Sequence, residues 1–453
     1  MELIKNELVE VKIIDMNNDG EGVGKIDGYT LFIKDSIIGD LVEAKIIKAK
    51  KNYGYARLVK IIEPSPYRVE PRCPVAKQCG GCQLQALDYS EQLRFKGDKV
   101  KNNLERIGSL KDVNIHPVIG MDEPYRYRNK AQFPVGINKK GDIITGFYAA
   151  RTHSIIEADH CDIGIEENAI ILDKIKIYMK ENHISPYDED THKGILRHVL
   201  IRASFDTKEI MVCLVINGDK LPESKKLVES LRRVPGMKSI CLNVNRDKTN
   251  VILGEKILPL WGDMFITDAI GDIKYKISPL SFYQVNPIQT QKLYEKALEA
   301  AGLTGEEVVW DLYCGIGTIS LFLAQRAKKV HGVEIVPAAI ENAKENALLN
   351  QIENVEFYLG KAEEVLPKYY SEKKAYADVI VVDPPRKGCD ESLLNTMLEM
   401  QPKRIVYVSC DSATLARDLK ILSEGGYEVT DVWPVDMFPQ TVSIENVVRL
   451  IKK

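Results

Sequence analysis

The stretch Val308-Val-Trp-Asp-Leu-Tyr-Cys-Gly-Ile-Gly-Thr-Ile-Ser320 decides the fold. An apolar run ends on Asp311, passes a turn with glycines at 315 and 317, and re-enters an apolar periodic segment. A strand, a tight turn and a helix opening follow from that order, and the glycines let backbone approach a ligand closely. Position 320 is Ser, so the Gly-x-Gly-x-x-Gly pattern of dinucleotide turns is not met, and a ligand without pyrophosphate is favoured. Downstream, strand-like runs at Val308–Tyr313, Lys329–Ile335, Val355–Leu359, Ala377–Val382 and Arg404–Val408 alternate with helical segments at Pro337–Asn350, Glu391–Met400 and Thr414–Glu424. Such alternation predicts βαβ units and a parallel sheet covered on both faces. Two more strands, near Tyr427–Pro434 and Ser443–Leu450, have no helix between them and read as an antiparallel pair at the sheet edge.

Upstream the pattern changes. Residues 1–62 carry short alternating runs at Leu8–Ile14, Tyr29–Ile33, Leu41–Ile47 and Tyr55–Ile62, separated by Gly/Asp turns, which predicts a small OB-like β-barrel. Within it, Lys45, Lys48, Lys50, Lys51, Arg57 and Lys60 surround Tyr53 and Tyr55 with no acid between positions 45 and 60. Cations for phosphates and aromatic faces for bases suit single-stranded nucleic acid, although lysines also protect a strand edge from aggregation. Pro64, Pro66, Pro71 and Pro74 mark a linker, and residues 90–107 read as a helix with Leu93, Val100, Leu104 and Ile107 on one side. Residues 125–280 mix strands and helices without clear alternation. Tyr125-Arg-Tyr-Arg-Asn-Lys130 is a second candidate RNA surface, or a strand with one basic face.

The whole chain has 453 residues, 45% hydrophobic and 28% charged, which excludes a mostly disordered or fibrous protein. A net charge of -3 means that any nucleic acid must meet local basic surface. No apolar run approaches a membrane span, and the start lacks a secretory pattern. Nine cysteines without an export signal argue for a reducing, cytoplasmic setting with metal-binding or catalytic thiols.

Three groups of residues carry chemistry. Glu334 closes the strand after the glycine turn, where an acid can hold ribose hydroxyls; together they resemble the S-adenosylmethionine site of class I methyltransferases. Asp383-Pro-Pro-Arg386 and Ser409-Cys410-Asp411 end the fourth and fifth strands, and Glu445-Asn446 opens the last, where it can return to the same edge. Arg386 stands where amine methyltransferases place an aromatic residue, which argues against exocyclic-amine chemistry. A thiol and a carboxylate supply a nucleophile and a base; methylation of carbon 5 of uracil needs both, because that carbon is a poor nucleophile until a thiolate adds to carbon 6. Cys73, Cys79 and Cys82 lie within ten residues, Cys161 is the natural fourth in Asp159-His-Cys-Asp162, and four thiolates suit zinc or an iron–sulfur cluster.

Taken together, these residues resemble the RNA (uracil-5-)-methyltransferases, most closely the 23S rRNA branch, along nearly the whole chain. The resemblance implies an RNA-binding TRAM domain at residues 1–62, a central α+β domain at 63–282 with a 4Fe-4S cluster on Cys73, Cys79, Cys82 and Cys161, and a class I (Rossmann-like) methyltransferase domain at 283–453. It implies that the helix at about 90–107 packs on the last of these. It further implies Cys410 as nucleophile, Glu445 as base, and Gln284, Tyr313, Glu334 and Asp383 around S-adenosylmethionine, with Tyr313 standing where several relatives carry Phe. The bacterial tRNA-acting branch typically lacks both the TRAM-like start and the cysteine set, so the expected partner is 23S rRNA with an extruded uridine, and no membrane or protein partner is implied. The alternatives are the same chemistry on tRNA or cytosine, and a metal-containing RNA-binding protein without activity.

Overall fold

The computed structural model describes residues 4–150, 152–158, 160–374 and 376–453, so Asp159 of the Cys161 motif lies outside the described residues. The chain forms two compact units. One comprises Met1–Asp98, Phe147–Ile156 and Phe438–Ser443; the other comprises Lys99–Gly146, Glu157–Met437 and Ile444–Lys453. No helix among the described residues is long and apolar enough to cross a membrane.

In the first unit, β1 (Leu8–Met16), β2 (Gly22–Ile26), β3 (Tyr29–Lys34), β4 (Leu41–Ala49) and β5 (Tyr53–Glu63) close a barrel in the order β1-β2-β3-β5-β4. Alternation places Val9, Val11, Ile13, Leu31, Ile33, Val42, Ala44, Ile46 and Ala56 inside. Sequence patterning finds four of these strands and misses β2. The reason is physical: its inward positions are Gly22 and Gly24, where an added Cβ would come within 2.9 Å of Ile13 and 2.4 Å of Val11. Backbone packs there in place of a side chain, so no apolar alternation appears. Asp40 ties the barrel to the proline-rich segment: it accepts from the Ile37 and Ser65 N–H groups and pairs with Arg68. A second small core joins Met16, Ile37, Leu84, Leu87 and Phe95.

The helix α1 (Tyr89–Arg106) follows, and its Val100 and Leu104 bury in the main core of the second unit with Trp310, Leu393 and Val432. Ile107, expected on the same side, lies past the helix end and stays 42% exposed. After β6 (Asn114–Ile115) come β7 (Lys130–Ile137), β8 (Ile143–Tyr148), β9 (Ile155–Glu157), α2 (Glu167–Glu181), β10 (Leu196–Ala203), β11 (Ile210–Ile216), α3 (Ser224–Leu231), β12 (Met237–Val244) and β13 (Lys256–Gly262). Their strands form a mixed sheet ordered β13-β12-β11-β10-β7-β8-β9. The hairpin β14 (Ile266–Ile270) and β15 (Ile273–Ile277) leads to α4 (Pro287–Ala301), capped by the Asn286 side chain on the Gln289 N–H.

The remaining elements are β16 (Val308–Leu312), α5 (Thr318–Ala324), β17 (Lys329–Glu334), α6 (Pro337–Leu349), β18 (Val355–Leu359), α7 (Ala362–Lys373), β19 (Val379–Val382), α8 (Glu391–Met400), β20 (Arg404–Ser409), α9 (Ser412–Glu424), β21 (Tyr427–Val435) and β22 (Glu445–Lys452). The sheet runs β18-β17-β16-β19-β20-β22-β21-β6, parallel from β18 to β20. Strand β22 enters antiparallel between β20 and β21, and β6 covers β21, so the final pair is not the outer edge.

Candidate active site

In an open α/β sheet, ligands sit beyond the carboxyl ends of the parallel strands. Four of those ends carry the candidate site residues here. After β16, the chain turns through Tyr313, Gly315 and Gly317, all with positive φ (69°, 57° and 81°). A Cβ built on Gly315 would meet nothing within 4 Å, so the turn opens onto free space. Glu334, the last residue of β17, braces that turn. Its Oε2 accepts the Gly315 N–H at 3.0 Å and its Oε1 accepts the Val336 N–H at 2.9 Å. Each oxygen keeps a lone pair, which suits a diol.

Asp383 follows β19, and Cys410 follows β20. The antiparallel course of β22 brings its first residue back to this edge: Ser409 pairs with Asn446, which sets Glu445 beside Cys410. The Cys410 thiol lies in the electrostatic field of Glu445, Asp383 and Arg386. Cys410 is half-buried, and Glu445 is only 4% exposed. Burial, followed by the neighbouring Glu445 and Asp383, pushes the Cys410 thiol up to about 11, against a smaller opposite pull from Arg386. Burial, with help from Asp383, raises Glu445 to about 8. Asp383 rises to about 6 through burial. Asp311 rises to about 7, again through burial first and then Asp383, although the Ser320 hydroxyl donates to it.

Asp311, Glu334, Asp383 and Glu445 thus gather at one edge, and Arg386 supplies an opposing charge in the field of Cys410 and Glu445. Asp311 Oδ1 is buried without a hydrogen-bond partner. Crowded buried carboxyls that a nearby cation would ionise, an orphaned acceptor, a bracing carboxylate and an open glycine turn fit a cationic ligand bearing a ribose, as S-adenosylmethionine is. Gln284 is buried in the loop before α4, where its backbone carbonyl accepts from the Asn129 side chain at 3.0 Å. Tyr313 is half-buried against the main core, and burial raises its phenol. The sequence alone gives Asp311 no place in the site, and it marks Arg386 only as a departure from the amine methyltransferases. The signal for Asp311 was its place at the end of the first strand.

The three raised carboxyls hold protons in the folded protein at pH values where the unfolded chain, titrating near 4, has released them. The folded state therefore binds more protons between about pH 4 and pH 8, and stability declines as pH rises through that window. The melting temperature of the ligand-free protein is expected to fall between about pH 5 and pH 8. Glu445→Gln is expected to flatten the upper part of the curve. A melting temperature that rises across this range would contradict the buried-acid cluster.

The cysteine set stands apart. Cys73, Cys79 and Cys82 lie in the segment between β5 and α1, and Cys161 follows β9. All four are half-exposed, whereas Cys213, Cys241, Cys314 and Cys389 are buried. The Gly81 N–H donates to Cys79 Sγ at 3.4 Å, a contact common around metal thiolates. The donor chemistry fits a thiophilic metal group. Among the described residues, no group of three or more His, Cys, Asp or Glu side chains is placed to hold a metal ion, so the four-cysteine site expected from the spacing is not shown.

On the barrel, Phe32, Tyr53 and Tyr55 pack with ring centroids 5.6–5.9 Å apart, and Lys50 donates to the Tyr53 hydroxyl at 2.9 Å while lying over its ring. Cations and aromatic faces share one surface there, as a single-stranded nucleic acid requires.

Comparison with known proteins agrees with this geometry. Residues 88–453 match the tRNA (Uracil-5-)-methyltransferase family, and residues 4–59 match the TRAM domain. The chain is 56% identical over 447 residues to an "Uncharacterized RNA methyltransferase" of Halalkalibacterium halodurans, covering 98% of this chain and 97% of that protein. A protein of the same description from Clostridium acetobutylicum is 54% identical, over 99% and 98%. The crystal structure of Pyrococcus abyssi tRNA (uracil-54, C5)-methyltransferase in complex with S-adenosyl-L-homocysteine superimposes with a TM-score of 0.78 at 29% identity, covering 98% of this chain and all of that one. The chain belongs to the tRNA (uracil-5-)-methyltransferase family of S-adenosylmethionine-dependent RNA methyltransferases, and it carries a TRAM domain at its start.

Proposed function

We propose that this protein methylates carbon 5 of a uridine in 23S rRNA, with Cys410 as nucleophile and Glu445 as base. The observation that carries the reading is the meeting of these two side chains at adjacent strand ends beside Asp383. Gln284, Tyr313, Glu334 and Asp383 would hold S-adenosylmethionine, which supplies an electrophilic methyl group on a cationic sulfur. The Cys410 thiolate forms a bond to carbon 6 of uracil, and the electron pair of the C5–C6 double bond becomes available at carbon 5. Once carbon 5 is methylated, Glu445 removes its remaining proton, the double bond re-forms, and the thiolate leaves. The target base must first leave its stack, at a cost of a few kcal/mol. Contacts from residues 1–62 and 63–282 to the surrounding RNA would offset that cost, leaving residues 283–453 to perform the chemistry.

The ribosomal target is supported by the TRAM domain together with the Cys73/Cys79/Cys82 loop. A second reading, tRNA, is favoured by the likeness to a tRNA-acting enzyme. Mapping 5-methyluridine in rRNA and tRNA from a strain lacking the gene separates them. The expected result is a lost site in 23S rRNA with tRNA unchanged; loss confined to tRNA would overturn the ribosomal assignment. We also read Cys73, Cys79, Cys82 and Cys161 as ligands of a 4Fe-4S cluster, supported by three cysteines in ten residues and by their exposure. Anaerobically purified protein should contain iron and sulfide, and stoichiometric zinc without iron would exclude the cluster.

A further inference from the structure

We propose that Arg128, Lys130 and Arg202 form a socket for a phosphate of the RNA strand next to the target uridine. The proposal rests on RNA being the substrate. Lys130 on β7 and Arg202 on β10 are direct register partners, so their side chains project from the same face of an antiparallel pair. Like charges placed opposite one another destabilise a sheet. Arg128 joins them: its Nε donates to the Lys130 carbonyl at 3.0 Å. Arg202 is 3% exposed, and its Nε has no hydrogen-bond partner. Among the described residues no carboxylate pairs with any of the three. Burial, and then Arg202 and Arg128, depress the Lys130 ammonium to about 8. Charges arranged this way are costly unless an anion completes them.

The socket adjoins the reaction. Arg202 donates to the Ser281 carbonyl, Asn129 donates from its side chain to the Gln284 carbonyl at 3.0 Å, and the Asn129 N–H donates to the Val285 carbonyl at 2.8 Å. The cations are therefore fixed to the loop that carries Gln284. A nucleic-acid phosphate is a singly charged, multi-acceptor anion that suits two guanidiniums and an ammonium. The other anion at such a site would be the carboxylate of S-adenosylmethionine, and the experiment separates the two.

Binding of a single-stranded oligouridylate is measured against salt concentration for the wild type, Lys130→Met and Lys130→Arg, with S-adenosylhomocysteine affinity measured in parallel. For Lys130→Met, the expected result is an affinity loss of about tenfold at low salt and a log–log salt slope shallower by about 0.7, the value of one single-strand phosphate contact. Lys130→Arg should keep the slope, and S-adenosylhomocysteine affinity should hold in both. An unchanged slope in Lys130→Met overturns the proposal. So does reduced S-adenosylhomocysteine affinity with an unchanged RNA slope, which would give the anion to the cofactor. Should Lys130→Met fail to fold, Arg128→Gln reads the same slope. No methyl transfer enters the measurement, so its failure is distinct from a failure of the Cys410 and Glu445 assignment.

Discussion

Replacing Cys410 with Ala is expected to abolish methyl transfer, by about 10⁴-fold or more, and to remove the covalent adduct with 5-fluorouridine RNA. The size of the effect follows from the substrate. Without a sulfur bonded to carbon 6, no electron pair is available at carbon 5, and no other group in the site can replace it. Folding should be little affected, because Cys410 lies at a strand end and is half-buried. The thiol rises to about 11 in the ligand-free protein, so its thiolate is scarce at neutral pH. Alkylation of Cys410 by iodoacetamide should therefore accelerate about tenfold per pH unit below that value. Retained methylation in Cys410→Ala would remove the thiol from the mechanism.

The second large effect concerns release. Glu445→Gln keeps the shape of the side chain and removes its ability to take a proton. The variant should still form the bond to carbon 6 and methylate carbon 5, then stall as a methylated protein–RNA adduct visible by denaturing electrophoresis. Turnover should fall by about 10²- to 10⁴-fold, the usual range for a lost general base. The pH dependence carries a definite sign. Burial raises the Glu445 carboxyl to about 8, so in the ligand-free protein the base is mostly protonated below that pH and becomes competent above it. A positive ligand beside it favours the carboxylate and moves the profile to lower pH. A fully active variant that releases its RNA would reassign the base.

How much of this was legible in the sequence depends on which side chains face inward. The barrel strands β1, β3, β4 and β5 alternate cleanly and could be read, while β2 packs glycine backbone and could not. The alternation from β16 to α9 was readable because each parallel strand is a short apolar run. One helix escaped: α7 contains Pro367, which reads as a break. The central sheet resisted for a different reason. All eight residues of β10 are buried, including Arg197, His198 and Arg202, so polar residues point inward and the usual alternation vanishes. At the active site, the glycine turn and the strand-end residues could each be placed on an element. The sequence lets Glu445 return to the same edge, but it does not show that β22 inserts between β20 and β21, the placement that sets Glu445 beside Cys410. Nor could it pair Lys130 with Arg202, far along the chain.

That return of β22 has a consequence for how new targets can be acquired. Because Ser409 and Asn446 are joined by a backbone ladder, the strand ends that carry Cys410 and Glu445 are held by peptide geometry at the roughly 4.8 Å backbone pitch of a sheet. Surface loops and appended modules can then diverge to capture different nucleic acids while these two backbone positions keep their register, so a change of substrate need not be accompanied by a new alignment of the two strand ends.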